Sequence, residues 1–137
     1  FLYFQKGMTL LYAGQEAEAI HRPSLFDKDD VYWPDRPVLT ADLMKRLAAL
    51  KQNPILTDSR YEVKALPHDI LYATHRKRDR QLVGLFSLKG TASLVHVDAP
   101  DGFYPGLTLN KEPVEVYEGM VSVSGSPIIF EAPWKEK

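Results

Sequence analysis

The sequence predicts a mainly β protein in which an antiparallel β-sandwich follows a single strand-plus-helix unit. Two observations support this prediction. Residues 1–56 contain one short apolar run and one amphipathic helix pattern, whereas residues 57–137 contain short stretches of alternating polarity separated by turn residues. The apolar period changes from about 3.6 to 2 between the two parts, which is the difference between a helix and a half-buried strand. We therefore expect residues 1–56 and residues 57–137 to belong to separate domains.

The composition is typical of an ordinary globular protein and argues against several classes of partner. Of the 137 residues, 45% are hydrophobic and 26% are charged, and 17 basic residues against 18 acidic ones give a net charge of -1. This balance provides no overall field that favours nucleic acid or an anionic membrane. No apolar stretch approaches the roughly 18 residues of a membrane span, so we expect neither partner. The absence of cysteine excludes disulfides and thiolate metal sites and leaves the redox compartment open.

The first element is the apolar run at residues 8–13 (MTLLYA), which is bracketed by Gly7 and Gly14. It is long enough for one strand and too short for an independent helix, which is typical of a strand buried on both faces of a parallel sheet. Polar side chains that follow such a strand lie on the face where parallel α/β proteins bind ligands. Gln15 and Glu16 have this position and are our candidate site residues.

A polar loop joins this run to the helix pattern. Its acidic cluster, Asp27, Asp29 and Asp30, offers oxygen ligands for calcium. The glycine and the distal glutamate of a calcium-binding loop are missing, so we favour a solvated turn. Tyr32 and Trp33 have ring faces that can stack on sugar rings, but packing between the loop and the rest of its domain is the favoured interpretation.

The next segment predicts a helix over residues 41–52. Thr40 is the expected N-cap, because its hydroxyl can accept a hydrogen bond from an unpaired N–H of the first turn. Leu43, Leu47 and Leu50 recur at positions i, i+4 and i+7 and form one apolar stripe. We expect this stripe to face the protein interior.

Seven strands are expected after the helix, because seven stretches alternate in polarity and are bounded by turn residues. They cover residues 61–66, 70–76, 81–88, 92–98, 114–118, 120–123 and 128–131. Short strands at regular spacing are typical of an antiparallel sandwich. The basic run at residues 75–80 (HRKRDR) is interpreted as a solvated hairpin tip rather than a phosphate site.

Several stretches of the chain resemble the α-amylase family of glycoside hydrolases. Residues 7–16 (GMTLLYAGQE) resemble the eighth barrel strand of that family, and residues 22–33 (RPSLFDKDDVYW) resemble the loop that follows it. Residues 47–56 (LAALKQNPIL) are similar to the last barrel helix and its exit into the C-terminal domain. Residues 101–104 (DGFY) resemble a turn often found in that domain. The resemblance is strong to about residue 56 and is a resemblance of pattern beyond it.

The resemblance implies that residues 1–56 are the last strand, loop and helix of a (β/α)8 catalytic barrel and that residues 57–137 are the C-terminal β-sandwich domain. It implies a retaining glycoside hydrolase, an α-glucan or oligosaccharide substrate, and the upstream barrel as the partner of this segment. The start at Phe1, inside an apolar run, is interpreted as the start of a fragment.

The resemblance also implies where the chemistry lies. The nucleophile, the acid/base and the stabilising carboxylate of the family lie upstream of Phe1, so we expect no catalytic residue, metal or cofactor in this fragment and no activity from it alone. Calcium is a cofactor that the full-length enzyme could hold. Gln15 and Glu16 are expected at the rim of the substrate pocket, where Glu16 either orients a catalytic carboxylate or only accepts backbone N–H groups.

Other residues allow alternative interpretations. The four histidines lack both the close spacing of zinc sites and a cysteine partner, so we expect solvated or core side chains: they are His21, His68, His75 and His96. A rival interpretation of the whole chain is a non-catalytic β-sandwich that binds glucan or a protein partner, because fold alone does not determine function. Surface aromatic residues such as Tyr104 or Trp134 would then provide the affinity.

Overall fold

The computed structural model describes residues 1–21, 24–35, 38–108 and 111–135. One α-helix, α1 (Leu39–Lys51), lies among short 3-10 helices at Leu2–Phe4, Gln15–Ala17 and Pro54–Leu56. The strands of the described part all follow α1: β1 (Arg60–Leu66), β2 (Ile70–Lys77), β3 (Arg80–Ser87), β4 (Ser93–His96), β5 (Gly102–Tyr104), β6 (Val114–Val116), β7 (Met120–Val123) and β8 (Ile128–Pro133).

All of these strands pair in antiparallel fashion. β1, β2, β3 and β8 form a four-stranded sheet in that order, β4 pairs with β7, and β5 pairs with β6. Apolar side chains of the sheet and of the two ribbons meet in one buried cluster. The two ribbons therefore form a second layer over one face of the sheet, and the expected antiparallel sandwich is confirmed.

The sandwich core lies between these two layers. Alternate residues of each strand point inward, as the period of 2 requires. The sheet contributes Ile70, Tyr72, Val83, Leu85, Phe130 and Ala132, and the second layer contributes Val95, Val97, Val116, Val121 and Val123. Fully burying one such aliphatic or aromatic side chain stabilises a fold by about 1.5–3 kcal/mol. This core lies entirely within residues 57–137.

A second core covers the opposite face of the sheet. It consists of Phe4, Leu50, Ile55 and Leu56 from the first part of the chain and Ala73, Leu82, Phe86 and Ile129 from the sheet. A Cβ atom at Gly84 would lie 2.9 Å from the Phe4 ring, so the glycine gives this ring its space. β2 and β3 are thus buried on both faces, which explains their long apolar runs.

The seven strands expected from the sequence are all present, although several have different ends. β4 has only four residues, and β8 extends to Pro133. The basic run at residues 75–80 spans the β2–β3 hairpin, as expected, but only residues 78–80 are exposed and His75 is buried. β5 is not among the expected strands, because its Gly-Phe-Tyr triplet resembles a turn, whereas Gly102 lies opposite Val116 in the ladder.

The strand expected at residues 8–13 is not formed. Residues 8–12 have no regular structure, and Gln15–Ala17 is a 3-10 helix. A parallel strand needs a hydrogen-bonded neighbour, because its N–H and C=O groups have no partners within the strand. No strand in the described part of the chain pairs with this segment. Of the expected strand-plus-helix unit, the structure contains the helix and lacks the strand.

The helix starts two residues before its expected position, and its N-cap is Val38 rather than Thr40. Thr40 lies in the first turn instead, where its hydroxyl donates a hydrogen bond to Glu18 Oε1 at 2.9 Å. The expected apolar stripe is confirmed, since its three leucines are buried or half-buried.

Arg22 and Pro23, the first two residues of the segment resembling the barrel loop, lie outside the described residues. No helix among those described is long and apolar enough to cross a membrane.

Candidate functional site

Gln15 and Glu16 lie together in a short 3-10 helix, Gln15–Ala17. Gln15 Oε1 accepts a hydrogen bond from the N–H of Tyr12 at 2.9 Å, and Glu16 Oε2 accepts one from the N–H of Gly14 at 3.1 Å. The Gln15 side chain is exposed, and that of Glu16 is half-buried. Both candidate residues therefore satisfy backbone groups of their own loop.

Gly14 gives this loop its shape. Its φ is 94°, in the left-handed region that favours glycine. An added Cβ would also lie 3.0 Å from Ala19 Cβ and 3.3 Å from Val31 Cγ1. Glu18 then anchors the loop to α1 through its hydrogen bond from Thr40. The position of Glu16 thus depends on a glycine and on a contact with the helix.

The acidic cluster of the next loop forms local hydrogen bonds. Asp29 Oδ2 accepts from the N–H of Ser24 at 2.9 Å, and its Oδ1 lies 3.3 Å from His21 Nε2. These hydrogen bonds, first the one from Ser24, lower the pKa of Asp29. Asp27 accepts from the Ser24 hydroxyl at 3.4 Å, and Asp30 forms an ion pair with a lysine. All three carboxylates therefore have partners in their own loop. Within the described ranges, no group of three or more His, Asp or Glu side chains could hold a metal.

A large apolar surface surrounds this loop, which we call the N-terminal apolar surface. Its exposed side chains are Met8, Leu10, Leu11, Tyr12, Ile20, Leu25, Phe26, Tyr32, Trp33 and Leu39. The packing expected for Tyr32 and Trp33 is therefore not formed within this chain. A cleft of about 730 Å³ also separates residues 7–11 from α1. Exposed apolar surfaces of this extent mark places where another part of the protein or a partner binds.

His75 is buried, whereas the other three histidines are exposed. Its Nε2 lies 2.6 Å from the carbonyl oxygen of Phe4, and its Nδ1 lies 2.9 Å from the Ser59 hydroxyl. A carbonyl can only accept a hydrogen bond, so Nε2 carries the hydrogen and Nδ1 accepts from Ser59. Burial lowers the pKa of His75, although the bond to Phe4 opposes this effect. Both ring nitrogens are engaged, so His75 is a core histidine that fixes the start of the chain to the sheet.

The aromatic residues named for the rival interpretation are both engaged within the protein. The Trp134 ring lies under the guanidinium group of Arg76, at 5.4 Å from its centroid. Tyr104 stacks on Phe130 at 5.3 Å, and its hydroxyl donates a hydrogen bond to the carbonyl oxygen of Pro100 at 2.7 Å. Each ring therefore has one face occupied by another side chain of the sandwich.

Two features of the structure are not among the expectations from the sequence. One is the contact between His75 and Phe4, which no local pattern indicates because the two residues are 71 positions apart. The other is the exposed Tyr117 in a groove of the second layer. A signal for Tyr117 was present, because Val114 and Val116 alternate with it and predict that its side chain points outward.

The sequence profile of a protein family described as the bacterial α-amylase C-terminal domain matches residues 62–130 of this chain. The matched range covers half of the chain and runs from β1 to β8. No curated protein sequence matches the chain.

Among solved structures, the chain is similar to α-amylases. An α-amylase from Lactobacillus plantarum shares 34% identity with a TM-score of 0.81, over 93% of this chain and 30% of that chain. A maltogenic α-amylase, AmyB, from Thermotoga neapolitana shares 14% identity with a TM-score of 0.79, over 98% of this chain and 35% of that chain. An α-amylase from Anoxybacillus shares 14% identity with a TM-score of 0.73, over 99% of this chain and 31% of that chain. The two matches at 14% identity show the fold alone. The chain spans about a third of the length of these proteins.

Proposed function

The chain belongs to the α-amylase family, as a C-terminal segment that contains the bacterial α-amylase C-terminal domain, and from this premise we propose a function for the full-length protein. We propose that it is a glycoside hydrolase that cleaves α-glucosidic linkages of a glucan or oligosaccharide and retains the configuration at the anomeric carbon. The family match over residues 62–130 carries this proposal.

In this proposal the 137-residue chain is catalytically incomplete. Retaining hydrolysis needs a nucleophile and an acid/base whose carboxyl groups lie about 5–5.5 Å apart. The resemblance assigns both to the part of the family upstream of Phe1. In agreement with this, the acidic residues of the expected ligand face have structural partners, because Glu16 accepts the N–H of Gly14 and Glu18 accepts the hydroxyl of Thr40.

The partner that we propose for the N-terminal apolar surface is the remaining catalytic barrel. Three observations support this choice: the exposed apolar side chains, the open cleft beside α1, and a segment at residues 8–12 that has no strand partner here. Neighbouring barrel strands would supply the missing hydrogen bonds. Gln15 and Glu16 then lie at the rim of the substrate pocket. We place calcium binding by the full-length enzyme outside this chain, because no group of three or more His, Asp or Glu side chains among the described residues could hold a metal.

The test compares the full-length protein with the 137-residue chain on maltoheptaose, with the products followed by proton NMR. We expect the full-length protein to release sugars whose new reducing end first has the α configuration, and we expect no product from the chain above a buffer blank. A first product of β configuration contradicts retention, and turnover by the chain contradicts its incompleteness. A full-length protein that cleaves no α-glucan refutes the proposed function.

A further inference from the structure

The outer face of the second layer carries a groove that the proposed function does not use. The groove has a volume of about 650 Å³ and runs over β6 and β7, between residues 112–115 and residues 124–128. It lies within the C-terminal sandwich and not on the loop that holds Gln15 and Glu16. Its lining combines an aromatic ring, aliphatic side chains, carboxylates and serine hydroxyls.

The aromatic residue in this groove is Tyr117. Its side chain is 63% exposed, and the neighbouring Leu94 is 65% exposed. The outer face of an antiparallel sheet normally carries polar residues, because only the inner face packs on the core. Among the described residues, no hydrogen bond engages the Tyr117 hydroxyl. Tyr117 and Leu94 therefore leave apolar surface in the groove that a ligand can contact.

A tight turn holds Tyr117 in place. The N–H of Tyr117 donates to the Met120 carbonyl oxygen at 3.0 Å, and the N–H of Met120 donates back at 2.8 Å. Glu118 and Gly119 between them have φ values of 51° and 70°, as in a type I′ hairpin turn. Both of their N–H groups donate to the Asp101 carboxylate, at 2.9 and 2.8 Å. A ring on such a preorganised turn loses little conformational entropy when a ligand binds.

The charge of the groove restricts its ligand. Glu112, Glu115 and Glu118 line it, and among the described residues no lysine or arginine does. In the described parts of the chain, no hydrogen bond or ion pair engages these three carboxylates. Phosphate groups and nucleic acid are disfavoured, because like charges repel in the absence of a compensating cation. Ligands that donate hydrogen bonds from neutral hydroxyl groups are favoured, because a carboxylate is a strong acceptor.

We propose that this groove binds a neutral α-linked oligosaccharide. Tyr117 stacks on the apolar face of a pyranose ring, while Glu112 and Glu115 accept hydrogen bonds from its hydroxyl groups. The choice of an α-glucan rests on the proposed function, whereas the groove itself belongs to the sandwich and needs no upstream barrel. A cationic peptide is the other ligand class that the carboxylates suit. The exposed ring and the serine hydroxyls favour the sugar.

The test is titration of the 137-residue chain with maltoheptaose, followed by calorimetry and by amide NMR shifts. We expect Tyr117→Ala to weaken binding about tenfold, which corresponds to about 1.4 kcal/mol. The matched control is Phe26→Ala in the loop before α1, because Phe26 is 95% exposed and does not line the groove. We expect this control to leave the Kd unchanged. Glu115→Gln, which keeps the shape of the side chain, is a second variant and should weaken binding about fivefold.

Three results would overturn the proposal: no saturable binding of maltoheptaose, equal losses for Tyr117→Ala and Phe26→Ala, or binding of a lysine-rich peptide instead of the sugar. Sugar binding should be nearly independent of salt, whereas binding of a cationic peptide should weaken as salt is added.

The failure of this inference is distinguishable from failure of the proposed function. A full-length protein that cleaves maltoheptaose, while Tyr117→Ala leaves the affinity of the chain unchanged, refutes the groove alone. A full-length protein that cleaves no glucan, while sugar binding by the chain depends on Tyr117, refutes the proposed function and supports the groove.

Discussion

At the scale of single residues, His75 connects the two parts of the chain. Its ring stacks on Tyr61 with centroids 4.4 Å apart, and its two nitrogens bond Phe4 and Ser59. Burial favours the neutral ring over the charged imidazolium, and in the neutral ring Nε2 donates to the Phe4 carbonyl oxygen while Nδ1 accepts from the Ser59 hydroxyl. Its burial and its neutrality therefore have consequences for stability.

Replacement of His75 by phenylalanine should destabilise the chain by about 1–3 kcal/mol, because the Phe4 carbonyl and the Ser59 hydroxyl lose their buried partner. Urea unfolding followed by circular dichroism measures this loss. The control is His96→Phe, which changes an exposed histidine and should alter the free energy of unfolding by less than about 0.5 kcal/mol. Equal effects of the two substitutions would show that the His75 contacts contribute nothing specific.

The same residue predicts a pH dependence. Burial lowers the pKa of His75 in the folded state below its ordinary value of 6.5. Between these two pKa values the unfolded chain binds more protons than the folded chain, so the free energy of unfolding rises with pH. The contribution of neutral His75 to the free energy of unfolding is complete above pH 6.5. It is lost as the pH falls toward the pKa that His75 has in the folded state. The slope has an upper limit of about 1.4 kcal/mol per pH unit. Urea midpoints between about pH 5 and 7.5 should rise more steeply with pH in the native chain than in His75→Phe, where the Phe1 amino group, whose pKa burial also lowers, still contributes.

Glu16 can be tested by removing its charge alone. Glutamine can still accept the N–H of Gly14, so Glu16→Gln should preserve the loop. In the full-length enzyme, a carboxylate that orients a catalytic group predicts a loss in kcat/KM of about 10 to 100-fold, or about 1.4–2.7 kcal/mol. Asp42→Asn, an exposed substitution on α1, is the control and should leave kcat/KM unchanged. A lower melting temperature with an unaltered kcat/KM would assign Glu16 a structural role.

At the scale of elements, the β6–β7 turn shows how a side chain from another strand fixes a hairpin. Glu118 has a positive φ that is unfavourable for a residue with a Cβ atom. Asp101, just before β5, offsets this cost by accepting hydrogen bonds from Glu118 and Gly119. The sequence indicates the turn through its Glu-Gly pair, but the contribution of Asp101 depends on the pairing of β5 with β6.

Asp101→Ala should therefore cost about 1–3 kcal/mol, since two N–H groups lose a charged acceptor. Asp101→Asn should cost about half as much, because the amide has a single acceptor oxygen. Thermal unfolding of the three proteins gives this order. Asp79→Ala in the β2–β3 turn is the control, because Asp79 is exposed. A loss for Asp101→Asn as large as that for Asp101→Ala would contradict the two-bond explanation.

At the scale of the whole molecule, the four-stranded sheet has a core on each face. The sandwich core belongs to residues 57–137, whereas the second core is shared with residues 1–56. The two domains expected from the sequence are thus joined by packing as well as by the chain. Separation of the two parts should leave one core complete and expose half of the other.

Deletion of residues 1–56 should leave a cooperative β-domain of lower stability, because the sandwich core remains and the opposite face of the sheet becomes exposed. We expect a lower melting temperature and increased binding of the dye ANS.

Leu50→Ala in the intact chain is a milder change to the core shared by residues 1–56 and the sheet, and it should cost about 2–5 kcal/mol. The exposed Leu39→Ala is its control. A truncated chain with no cooperative melt and poorly dispersed amide signals would refute an independent sandwich domain.

The structural features that could be predicted from the sequence are those that depend on residues close together in the chain. Alternation with a period of 2 indicates a strand wherever one face is buried, so the sequence alone identified seven of the strands in the described part. The leucine stripe of α1 was likewise visible, since i, i+4 and i+7 lie on one side of a helix. Gln15 and Glu16 lie in a 3-10 helix rather than at the end of a strand, and their place beside a substrate pocket stays a prediction.

The sequence by itself therefore determined the antiparallel sandwich, the helix and the family resemblance, because these depend on residue patterns within short stretches. Only the tertiary structure decided which sheet face receives Phe4, how His75 and Asp101 are used, and that residues 8–13 do not form a strand here. Each of these depends on a partner distant in the sequence. A strand needs hydrogen-bonding neighbours, and a buried polar group needs a bonding partner, and no local pattern specifies which distant segment supplies them.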